Sequence, residues 1–80
     1  MKRVPALLPF FAPEQRISVV VYDVGGRLVR KISDKVMVAG SHRLEWDATR
    51  MDGNRAKAGM YFVRLEGASG VRVSRVAMIQ

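Results

Sequence analysis

Hydrophobic and polar residues alternate with a period of two along most of the chain. In Arg16-Ile17-Ser18-Val19-Val20-Val21-Tyr22-Asp23, residues Ile17, Val19 and Val21 share one face, and the β-branched content favours a strand. Pro13-Glu14-Gln15 is a candidate helix start, but Ile17, Val19, Val20 and Val21 follow at once and argue against it. Gly25-Gly26 offers two positions able to take positive φ, which predicts a hairpin turn. Arg27 to Ser33 returns as a second strand carrying Leu28, Val29 and Ile32, and Asp34-Lys35 turns into a looser stretch, Val36 to Gly40. His42 to Asp47 alternates cleanly, with Leu44 and Trp46 inward and Arg43, Glu45 and Asp47 outward. Ala48 to Ala58 reads as a polar loop around the turn Met51-Asp52-Gly53-Asn54. Gly59 to Glu66 is the next strand and Gly67-Ala68-Ser69-Gly70 the next turn. Val71 to Ile79 closes the chain and loses phase after Arg75, which predicts a bulge or a terminal edge. Short strands with turns every 8–12 residues define an all-β sandwich or small barrel. Its expected core is Ile17, Val19, Val21, Leu44, Trp46, Tyr61, Val63 and Leu65.

Eighty residues allow one small domain, which buries only roughly 60% of the surface its unfolded chain exposes. At 49% hydrophobic and 26% charged the chain is globular in composition. Residues 1–13 place Lys2 and Arg3 before an apolar run, but Pro5, Pro9 and Pro13 interrupt it and it is short for a secretory leader. That segment reads as a proline-rich lead-in or a partial edge strand, ahead of a single domain over 14–80. No stretch approaches the roughly 20 apolar residues of a membrane span.

Candidate chemistry is sparse. There is no cysteine, which removes disulfides, thiolate metal sites and thiol catalysis. His42 is the only histidine and sits beside Arg43 at a strand start, as a surface residue would. Gly25-Gly26-Arg27 lacks the remainder of any phosphate-loop motif, and no serine has a nucleophile-elbow context. No enzyme, cofactor or metal site is expected. The charge is the remaining signal: 14 Lys+Arg against 7 Asp+Glu give +7. Alternation puts Arg16, Arg43, Arg64 and Arg72 opposite the expected core positions of four strands. Together they predict a basic sheet face able to bind a polyanion, nucleic acid or anionic glycan, weakly and with salt sensitivity. The bland alternative is a basic face that keeps the sheet soluble.

Three motifs in register carry a family resemblance. Tyr22-Asp23-Val24-Gly25-Gly26-Arg27, then Gly40 followed by a strand ending in Trp46-Asp47, then Gly53 and Gly59-Met60-Tyr61-Phe62-Val63-Arg64-Leu65, follow one another at matching spacing. This pattern resembles the FlgD-type Ig-like domain of flagellar hook-capping proteins and the similar carboxy-terminal sorting domains of type IX secretion substrates. The resemblance implies an Ig-like or fibronectin-like antiparallel β-sandwich, with the family's first strand missing if residues 1–13 do not supply it. It also implies a non-catalytic secretion-sorting or surface-assembly module of an exported bacterial protein, at the cell surface or outside, whose partners are secretion or assembly proteins. An unpaired strand beginning at Arg16 would additionally invite edge-to-edge self-association.

Overall fold

A computed structural model describes the backbone of residues 4–11 and, with side chains, residues 13–68 and 70–79. Six strands follow one another: β1 (Val4–Phe11), β2 (Gln15–Asp23), β3 (Leu28–Met37), β4 (Gly40–Trp46), β5 (Gly59–Gly67) and β6 (Gly70–Met78). All pairings are antiparallel, and no helix occurs among the described residues. A four-stranded sheet in the order β3-β2-β5-β6 packs against a two-stranded sheet of β1 and β4. The smaller layer lies toward one side, where β4 approaches β3.

The core between the layers follows from alternation in β2 and β5. Ile17, Val19 and Val21 from β2, with Tyr61 and Val63 from β5, are buried, and Trp46 closes the space from the other layer. Burying each large apolar side chain contributes about 1.5–3 kcal/mol. Leu44 and Leu65, expected in the core, are only half-buried against it. Val29, Met37, Ala48, Ala56 and Met78 complete the cluster.

β3 departs from the expectation in a specific way. It runs unbroken through Asp34 and Lys35 to Met37, with Lys35 paired to Ile17 and Met37 to Gln15; no turn falls at Asp34-Lys35. Val29 and Ile32 are three residues apart, which strict alternation would send to opposite faces. Register shifts opposite Val19/Val20 and Val21/Tyr22 leave each as an extra residue and let both reach the core.

One further expectation is corrected by the topology and another is decided by it. β2, which contains Arg16, is not an open edge: it pairs with β3 on one side and β5 on the other. Of the two readings for the last strand, the terminal edge holds: β6 ends the sheet order and pairs with β5 without a register shift from Gly67↔Gly70 to Gly59↔Met78. Val4–Phe11 is a strand, paired with β4.

Candidate functional site

The residues singled out in the sequence hold the sandwich together. Asp23 ends β2, and its Oδ1 accepts the backbone N–H of Gly25 and of Arg27, both at 2.9 Å. The Gly26 N–H donates to the Asp23 carbonyl at 3.0 Å, and φ of +82° at Gly26 makes this turn a glycine position. Asp47 repeats the device after β4, accepting the Thr49 N–H at 3.1 Å and its hydroxyl at 2.5 Å. The Gly53 N–H donates to the Arg50 carbonyl at 2.9 Å and closes the loop between β4 and β5. Gly40 and Gly59 open β4 and β5.

Trp46 and Tyr61 form the central contact. Their rings meet edge to face at 5.2 Å and 66°. The indole N–H donates to the Thr49 carbonyl at 2.9 Å, and the Tyr61 hydroxyl donates to the Lys57 carbonyl at 2.6 Å. Each ring is thus buried with its polar atom satisfied, and the second bond ties a strand start to the backbone four residues upstream. Leu65, the last landmark, faces the core further along β5.

The four arginines do not form one face. Arg16 and Arg64 are on the outer face of the four-stranded sheet, where Arg16 pairs with Asp34 at 3.0 Å and Arg64 with Glu66 at 3.4 Å. Arg43 belongs to β4 in the other sheet. Arg72 is registered with Leu65, which pairs with Val19, so it stands on the inner face, exposed because the smaller layer does not extend over it. Sequence reasoning missed the true members of the outer basic set. Lys31 pairs with Val20 and Arg75 with Phe62, and both join Arg16 and Arg64 there. The tight Gly67–Gly70 turn sets this register, and it was the available signal. Between the basic residues runs a row of Leu28, Tyr22 and Phe62, the two aromatics half-buried.

Other chemistry is equally limited. The His42 Nε2–H donates to the Val38 carbonyl at 2.7 Å and braces the turn between β3 and β4. Among the described residues no group of three or more His, Asp or Glu is placed to hold a metal ion. Asp52 accepts from the Asn54 backbone and side chain. A cleft of about 150 Å³ between β3 and β4 is lined by Arg30, Lys31, Ile32, Glu45, Trp46 and Asp47. That is below the roughly 300 Å³ at which small-molecule sites begin.

Two packed antiparallel sheets, a tryptophan between them and a tyrosine hydroxyl bound back to the preceding loop define an immunoglobulin-like β-sandwich. Within that class the chain belongs to the family of FlgD Ig-like domains, whose family model matches residues 9–70. It is 33% identical over 55 residues to the basal-body rod modification protein FlgD of Escherichia coli (strain K12), across 69% of this chain and 24% of that protein. The chain therefore spans about a quarter of that relative's length. The crystal structure of FlgD from P. aeruginosa matches 95% of this chain and 59% of its own with a TM-score of 0.75. At 24% identity that likeness speaks for the fold.

Proposed function

We propose that the domain is a non-catalytic assembly module of an exported protein, contributing a rigid sandwich to a flagellar or other surface structure. Membership of the FlgD Ig-like family over residues 9–70 carries the reading. It is supported by where the polar landmarks are spent: Asp23, Asp47, Trp46 and Tyr61 all bond to backbone or to a turn. Sorting of a cargo through a type IX machine, the other role the resemblance implies, rests on the shared motifs alone. A chimera tests the choice. The whole 80-residue chain replaces the Ig-like domain of Escherichia coli FlgD in cells lacking their own copy, and swimming is scored. Restored swimming supports the assembly role; a chimera that accumulates without restoring it rejects that role. Sorting is read separately, by fusing the chain to the end of a reporter in a type IX-competent host and measuring the reporter outside the cell.

A further inference from the structure

The sandwich has four strand edges, and three carry features that hinder further pairing. The outer edge of β3 is covered by the loop after β4: the Met51 N–H donates to the Val29 carbonyl at 2.9 Å, and the Lys31 N–H reaches the Met51 sulfur at 3.5 Å. β3 also carries two register shifts and turns Lys35 into the row of Ile17, both of which spoil a pairing edge. β1 contains Pro5 and Pro9, which have no N–H to offer an added strand. β4 is the shortest strand and exposes Arg43 and Glu45.

β6 lacks the covering loop, the bulges and the prolines of the other edges, and the charges it exposes, Arg72 and Arg75, are of one sign. It holds nine residues in register with β5, without bulge, proline or lysine, and no hydrogen bond outside the β5 ladder reaches it among the described residues. Val71 and Val73 are exposed on it at 48% and 58%, side chains suited to a cross-strand neighbour. The strand contains Arg72 and Arg75 and no carboxylate, and neither arginine has an ion-pair partner among the described residues. A second copy is a poor occupant, because antiparallel self-pairing brings four uncompensated guanidinium groups together between chains of charge +7.

We infer that the free edge of β6 binds an extended acidic segment of a partner protein, which adds a seventh strand by backbone pairing. Arg72 faces inward with Leu65 and Arg75 outward with Phe62, so the segment presents two carboxylates three residues apart, one on each face of the added strand. Small or β-branched residues beside them meet Val71 and Val73. The inference deepens the assembly reading and rests on it for the biological source of the segment; the binding itself is tested independently of swimming.

The test uses the 80-residue chain and a capped nine-residue peptide of valine and threonine with two glutamates three positions apart. Amide hydrogen exchange is followed by nuclear magnetic resonance at 50 mM salt. Expected is protection of alternate β6 amides with none gained in β1 or β3, and at least tenfold weaker binding of the same peptide carrying lysines. The double variant Arg72→Glu, Arg75→Glu, whose changes are at exposed positions, should reverse that preference. Protection confined to another edge, no protection at millimolar peptide, or equal binding of both peptides overturns the inference. So does protection of β6 that grows with protein concentration and no peptide, which would assign the edge to a second copy. Peptide binding at β6 of the 80-residue chain, together with a chimera that does not swim, would reject the assembly role and leave this edge site standing.

Discussion

Replacing Trp46 with alanine tests whether one aromatic contact closes the sandwich. The side chain is 2% exposed, meets Tyr61 edge to face and donates to the Thr49 carbonyl. Truncating a buried tryptophan typically costs about 3–5 kcal/mol, and the orphaned carbonyl adds about 1 kcal/mol more. Eighty residues at about 0.05–0.15 kcal/mol each hold roughly 4–12 kcal/mol of stability. The substitution thus removes a third or more of the total, and all of it at the lower end. With about 4–8 °C of melting temperature per kcal/mol at this size, a loss of at least about 16 °C is expected. Melting followed by far-ultraviolet circular dichroism suits the measurement, because it does not depend on the indole. Trp46→Phe separates the two contributions: it keeps most of the apolar contact and loses the N–H donor, so it should fall about 1–2 kcal/mol short of wild type. A Trp46→Ala protein melting within a few degrees of wild type would remove Trp46 from its central place and refute the packing argument.

Tyr61→Phe deletes the hydroxyl that donates to the Lys57 carbonyl at 2.6 Å; urea titration should show a loss of about 0.5–1.5 kcal/mol with an unchanged slope. Gly67→Ala would place a methyl 2.6 Å from Ile17 Cδ1 and 2.7 Å from Gln15 Oε1, both on buried residues, so a cost of about 1–3 kcal/mol is expected from the same titration. A duplex oligonucleotide should bind weakly and without sequence preference at 50 mM salt, with a log–log slope near −0.9 per phosphate contact. Arg16→Glu with Arg64→Glu should flatten that slope, while Arg43→Glu with Arg72→Glu, on two other surfaces, should change it less; equal effects would mean that net charge alone is sensed.

The sheet interior was legible where burial enforces alternation on both strands of a pair. Ile17, Val19 and Val21 in β2, and Tyr61 and Val63 in β5, lie under the second layer, so a one-residue slip would expose all five. Asp23 and Asp47 were legible for a local reason: a carboxylate at a strand end can reach the N–H groups of its own turn. β3 was harder because its inward residues are not evenly spaced. Two bulges bring Val29 and Ile32 to one face, and bulges leave no period to read. Gly67 escaped notice because its role is close approach to Ile17 and Gln15 from a neighbouring strand, a contact invisible along the chain.

The misplaced arginine follows from the same physics as the exposed edge. Val71 and Val73 alternate with Arg72 and Ser74, and hydrophobicity alone assigns the valines inward. The short connection from Gly67 to Gly70 dictates the opposite phase, pairing Leu65 with Arg72 and Val63 with Ser74. Elsewhere such a conflict would bury a guanidinium without a partner, at severe cost. Here it does not, because the smaller sheet has only two strands and lies on the β3 side, so Arg72 and Ser74 stay exposed although they face inward. Pairing geometry therefore prevails over hydrophobic pattern in the first half of β6, which the second layer leaves uncovered, while Val76 and Met78 at its far end reach the core. The valines it turns outward and the arginines it leaves without carboxylates are the features that make β6 an accepting edge. Shortening or lengthening the Gly67–Gly70 connection by one residue should flip this strand, send Val71 and Val73 inward, and abolish acidic-peptide binding even where the fold survives.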